Sequence, residues 1–423
     1  MDLYQWYAGR VAELSGTDPA RARRLLLTGY RANLAALKTG LAGKELSPVR
    51  RYAAVEVMKL IISALSRPQN AAMVSLFVPC EAILAAGMAP YSVEAVSGYL
   101  MGAGVEKHFQ ELAAERSVPE TLCSFHRTFL GAADSGLLPP PRCIVYTNVA
   151  CDGNMISFPY LRDRFSVPSF FIDVPYEKSE DAVRDVAGQL ERLTAFIGDV
   201  TGKVITREAV AENVRRSRIS GEQYRRYLAM EKKKRLIDDV TDEMYAVFMS
   251  HSLLGSATAE TYFTRLAAEM DAAPPSDALR LLWLHTIPYL QPSVRALLNH
   301  SDRAFITACD LCYDSLTTLQ DETDPYVSMA RRLVCSVFNG SPQDRIRRAA
   351  EAAERTGADG AVIFAHMGCK ATIGAAGLMR EALERNGVPA VILDGDACAP
   401  ANTGDGQLST RLGAFLEMLE ARK

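Results

Sequence analysis

Apolar residues follow two rhythms along this chain. Over residues 1–70 they recur at helical spacing, through ARRLLLTGYRANLAALKTG and RRYAAVEVMKLIISALS, which predicts a helical N-terminal region. VSLFVPCEAILAAGMAPYSV (74–93) then reads as strand, short helix and strand, punctuated by Pro79 and Pro90. Helical spacing returns over 105–137, PPP at 139–141 forms a loop, and RCIVYTNVACDG (142–153) is a β-rich run ending in a polar turn. After a further helix, VPSFFIDVPYE predicts another strand. Residues 178–290 read as mostly helical and more charged. From about 300 the alternation resumes, with AFITACD, GAVIFAHMGC and VPAVILDGD as strands and QLSTRLGAFLEMLEA as a closing amphipathic helix. The pattern predicts an α/β protein of two doubly wound domains, 71–205 and 291–423, with a helical region at 1–70 and a helical linker at 206–290.

One half echoes the other. CIVYTNVACDG runs through a helix to VPSFFIDVP, and AVIFAHMGCK runs through a helix to VPAVILDGD. Each apolar strand ends at a cysteine, Cys151 or Cys369, and each following strand opens on Val-Pro and closes on an acid, Asp173 or Asp394. Buried parallel strands look alike in any βαβ unit. The matched cysteines are the distinctive part, because doubly wound sheets bind ligands at the carboxyl ends of their strands. Two such ends can face each other across a cleft.

Composition narrows the classes of function. With 48% hydrophobic and 23% charged residues over 423 positions, the chain has enough apolar material to fold. A net charge of −3 gives no basic field for nucleic acid. No apolar run approaches the roughly 20 residues that span a bilayer. MDLYQWYAGRVAEL lacks the basic and apolar regions of a signal peptide, so a cytoplasmic location is expected. There, nine cysteines read as metal ligands or reactive thiols before disulfides.

Cys123, in PETLCSFHRTFLG, stands at a predicted helix start, and Cys151 and Cys369 at strand-to-helix junctions. Helix N-termini favour thiolate. Three such thiolates can converge on an iron–sulfur cluster or on zinc, leaving one position open for substrate. Cys143 and Cys335 read as small buried hydrophobes. Cys309 and Cys312 form a CxxC with no second CxxC, and Cys80 and Cys398 lie in turns. The basic run from Arg215 to Arg235 either meets phosphates or an acidic partner, or is a solvated helix face.

VPCEAILAAGMAPY, LCSFHRTFLG, NVACDGN, ARRLVCSVFNG, AHMGCKATIGAAGLMREAL and LDGDACAPANTGDGQLSTRLGAFLEML occur in that order. Jointly they resemble the 2-hydroxyacyl-CoA dehydratase family, which also holds benzoyl-CoA reductase subunits and double-cubane cluster proteins. The likeness covers roughly 70–175 and 285–423. It implies two flavodoxin-like domains and an oxygen-sensitive [4Fe-4S] cluster held by Cys123, Cys151 and Cys369. It departs from the pattern at Cys398–Ala399, where similar chains commonly carry Cys-Asp.

The resemblance implies a lyase that removes water from a 2-hydroxyacyl-CoA through a ketyl radical, after one-electron activation. Glu81 and His366 are the expected acid–base groups. Against this, Glu81 also fits a solvated carboxylate in a first helical turn, and His366 a structural histidine. Ser124 and Asp152 read as helix caps. Neither GLAGKE (40–45) nor GAGVEK (102–107) makes a phosphate-binding motif. The resemblance implies a separate ATP-dependent activator protein that supplies the electron, and a related second subunit or a homodimer. The spare cysteines Cys80, Cys309, Cys312, Cys335 and Cys398 keep a double-cubane or benzoyl-CoA-reductase-like reductase open, and a non-catalytic accessory subunit is the third reading.

Overall fold

The computed structural model describes residues 2–318 and 323–423. Three helices, Leu3–Thr17, Pro19–Thr39 and Pro48–Ser66, open the chain. Asp2, Asp18 and Ser47 cap them through their side chains, and proline stands at the start of the second and third. Two four-stranded parallel sheets follow. The first contains β1 (Ala71–Val74), β2 (Ala89–Ser92), β3 (Cys143–Thr147) and β4 (Ser169–Ile172), in the order β2-β1-β3-β4. The second contains β5 (Leu279–Leu284), β6 (Ala304–Cys309), β7 (Gly360–His366) and β8 (Ala390–Gly395), in the order β6-β5-β7-β8. Both orders reverse beside the first strand, as in flavodoxin-like sheets, and so create a crevice at the strand ends.

Side-chain alternation divides the core. Met73 and Ile144 face a core shared with the N-terminal helices, while Ala72, Val74 and Val145 face the opposite layer. Leu282 and Ile363 of the second sheet join that same shared core, whereas Leu281, Trp283 and Phe364 pack toward the closing helix Asp405–Arg422. One continuous apolar mass therefore links both sheets. Within it, buried Arg50 of the third helix reaches Asp238 at 3.1 Å and Glu243 at 3.3 Å, tying the N-terminal helices to the connecting helices.

Two features correct the sequence reading. β5 lies inside the segment read as helical linker and is a central strand, between β6 and β7. LRLLWL is uniformly apolar because both faces are covered, and a buried strand of that kind lacks the alternation that separates it from a helix. The second sheet thus begins before residue 291. In addition, the helix Pro325–Val334 packs on the first sheet's outer layer, beside the helix Glu180–Thr201, although it follows β6 in sequence. Among the described residues no helix is long and apolar enough to cross a membrane.

Candidate functional site

The crevices of the two sheets open on one cavity of about 320 Å³. Cys151 enters from the turn after β3, following Ala150 in a left-handed conformation (φ 69°). Cys369 enters after β7, at the start of the short helix Lys370–Ile373, and Cys123 at the start of the helix Ser124–Asp134. The two halves touch backbone to backbone here. Gly368 has φ +84°, and a Cβ on it would lie 2.7 Å from Cys123 Cα, so only glycine permits the approach. Leu76, Phe77, Phe125, Val247 and Phe248 supply apolar wall around the thiols.

The thiols sense one another. Burial pushes Cys123 well above the usual thiol range, and the fields of Cys151 and Cys369 add to it. Cys151 is pushed up to about 12 by burial, with Glu94 and Cys369 contributing. Each cysteine also faces a histidine, at 3.2 Å from sulfur to Nε2: Cys123 to His366, Cys151 to His126 and Cys369 to His285. Burial keeps all three rings neutral, pulling His126 down to about 4 and His285 to about 3. Among the described residues, no three His, Cys, Asp or Glu side chains converge closely enough for a single metal ion. Three soft sulfurs set around a cavity suit a polynuclear iron–sulfur core instead.

Polar groups without partners line the same space. Glu94, in the first turn of the helix Val93–Gly102, has an Oε2 that is shut off from water and unpaired. Burial raises its carboxyl to about 7, against hydrogen bonding from Ser92 and the backbone. Asn154 Oδ1, His285 Nδ1 and Thr286 Oγ1, all on lining residues, are likewise buried and unpaired. Buried polar atoms normally have partners, so this cluster fits a site for a polar ligand.

Cys123, Cys151, Cys369 and His366 are thus brought together. Glu81 is not. It is fully buried away from the cavity, where Arg332 donates to both its oxygens at 2.7 and 2.9 Å and Ser217 adds a third bond at 2.8 Å. That geometry makes it a structural anchor, not a base facing a substrate. Nor do Ser124 and Asp152 cap helices: the helix starts are Cys123 and Gly153, without side-chain cap bonds. Ser124 instead donates to Asp396. Asp173 and Asp394 lie off the cavity, with Asn148 and Arg411 as partners.

None of Cys80, Cys143, Cys309, Cys312, Cys335 and Cys398 lines this space, and Cys335 is only half-buried. The basic run is largely matched by acids, with Arg215 and Arg216 on Glu212, Arg226 on Asp271 and Arg235 on Asp302. It takes no part in the cavity wall. Glu94, His126 and His285 are the site residues that the sequence reading passed over. His126 alone carried a signal, one helical turn after Cys123.

Paired doubly wound sheets whose crevices share one thiol-walled cavity define an α/β protein with its candidate site between two halves. The chain belongs to the 2-hydroxyglutaryl-CoA dehydratase D-component family, whose model matches residues 75–419. It is also 21% identical over 322 residues to the (R)-phenyllactyl-CoA dehydratase alpha subunit of Clostridium sporogenes, an alignment that covers 71% of this chain and 78% of that protein.

Proposed function

We propose that this chain is the cluster-bearing subunit of a 2-hydroxyacyl-CoA dehydratase, acting as a hydro-lyase on a 2-hydroxyacyl thioester. The observation that carries the reading is the convergence of Cys123, Cys151 and Cys369 on one cavity beside an unpaired, near-neutral carboxyl, Glu94. The three cysteines would hold a [4Fe-4S] cluster. Such a cluster supplies one-electron chemistry and an open Lewis-acid position.

The chain's own residues supply the remainder. The apolar wall excludes water and receives the acyl chain. Glu94 Oε2 is poised to take a proton from the substrate and return it near neutral pH, which is the office first assigned to Glu81. Thr286 Oγ1 is positioned to hydrogen-bond a substrate oxygen, and Asn154 Oδ1 to accept from the substrate's 2-hydroxyl. A one-electron-reduced thioester, a ketyl radical, makes loss of the 2-hydroxyl as hydroxide and then of the β-proton feasible, and the enoyl ketyl so formed gives the electron back, leaving the enoyl thioester with no net redox change. The electron comes from an ATP-dependent activator protein, and a second, related subunit completes the assembly.

Anaerobic iron and sulfide analysis tests this directly. About four irons and four sulfides per chain are expected, with large loss in each of Cys123→Ser, Cys151→Ser and Cys369→Ser. Activity toward 2-hydroxyacyl-CoA esters should then appear on adding the activator. A zinc-containing or metal-free protein overturns the proposal. Iron near eight per chain, with reduction of small molecules and no need of an acyl-CoA, would favour the double-cubane reading. Intact partner activity in all three variants would make the chain an accessory subunit.

A further inference from the structure

The three cysteines share an unassigned feature: each sulfur has its own histidine, supplied by a different element. His366 ends β7, His126 lies in the first turns of the helix Ser124–Asp134, and His285 follows β5 in a left-handed conformation (φ 82°). In every case the nitrogen facing sulfur is Nε2, at 3.2 Å. Hydrogen bonding fixes which nitrogen of His366 carries the proton. The backbone N–H of Ala397 points at its Nδ1 from 3.1 Å, and a backbone amide can only donate. Nδ1 is therefore the acceptor, and the neutral ring holds its hydrogen on Nε2, aimed at Cys123.

The surroundings of the other two rings accommodate the same tautomer. Ser157 Oγ lies 2.8 Å from His126 Nδ1 and has a hydroxyl hydrogen to give it. A Cβ on Gly153 would come within 3.1 Å of the His126 ring, so that glycine makes room for the ring to lie there. His285 Nδ1 has no partner, so no neighbour competes for the proton there, and a thiolate facing Nε2 would draw it to that nitrogen. A ligating sulfur carries no hydrogen of its own, so any bond across these gaps must come from the ring N–H.

We infer that His126, His285 and His366 are positioning residues that donate one N–H···S hydrogen bond to each of the three cysteine thiolates, setting their orientation and raising the reduction potential of the centre they hold. The inference rests on the cluster reading above. A donor to a ligating sulfur stabilises the more negatively charged, reduced state, and such bonds are among the factors that set cluster potentials. His366 is accordingly a partner of Cys123 and not a donor to substrate.

The test is mediated potentiometric titration, with iron and sulfide analysis, of the anaerobically prepared full chain and its His126→Leu, His285→Leu and His366→Leu variants. Each is expected to keep its iron and to shift the couple to lower potential, by about tenfold in the equilibrium constant or 59 mV for one electron. Glutamine at the same positions retains an amide N–H and should restore the parent value. A parent-like potential in iron-replete His366→Leu, where the tautomer is fixed by the fold, overturns the inference. If a leucine variant sheds iron, the glutamine variant decides: full iron at the parent potential supports the donor role, and any other result overturns it. Absence of iron from the parent chain would instead sink the cluster reading itself.

Discussion

Two glutamates open neighbouring helices in the first half and meet opposite fates. Glu81 begins the helix Glu81–Ala85, and Glu94 sits in the first turn of Val93–Gly102. A carboxylate withdrawn from water must be neutralised by a partner or by a proton. At Glu81 the partner is Arg332, gripping both oxygens from the helix Pro325–Val334. This bond lashes a late segment of the chain onto the first sheet. At Glu94 no side chain answers Oε2, and the carboxyl keeps its proton up to about pH 7. The same residue type at a helix start thus serves architecture in one place and, in the proposed function, proton transfer in the other. The difference is made by what the fold brings to it from more than two hundred positions away.

Breaking the catalytic side of that contrast should have the largest effect. With cluster and activator present, Glu94→Gln is expected to lower kcat by about 10²–10⁴-fold at unchanged iron content; a loss below tenfold would remove it from the acid–base role. Breaking the architectural side comes next. Arg332→Ala should cost about 3–5 kcal/mol in denaturant unfolding, since it strands a buried carboxylate, whereas replacing Glu81 and Arg332 together by apolar residues should recover most of it.

The pH dependence sharpens the comparison. A carboxyl raised from 4.5 to about 7 in the fold contributes stability that is fully present below pH 4.5 and lost as pH rises through 7. Wild type should therefore fall relative to Glu94→Gln over that window, by at most about 3 kcal/mol. Parallel unfolding curves at pH 5 and 8 would contradict the sequestered state of Glu94. The smallest effect is expected at Glu212→Gln, on the exposed basic helix, where Tm should not move measurably.

The sequence announced some of this plainly and concealed the rest for physical reasons. Cys151 and Cys369 stood out because each closes a buried strand at the same place in two repeated units. β5 was concealed because a strand covered on both faces loses its alternation. Glu81 and Glu94 look equivalent in sequence, each an acid in a first turn, and only the arrival of Arg332 tells them apart. His285 carried no local signal at all, since its tie to Cys369 depends on β5 and β7 lying side by side.

The backbone contact between Gly368 and Cys123 has a consequence for how the protein is made. Cys123 and Cys151 leave the ribosome first, and Cys369 follows 218 residues after Cys151 (369 − 151). At about 5–20 residues per second, that interval is about 10–40 s. Throughout it the part of the cavity wall that the second half supplies, including Gly368 and Cys369, is still missing. Loading of any centre that needs all three sulfurs must therefore wait until the segment that carries Cys369 has been made and folded against the first half.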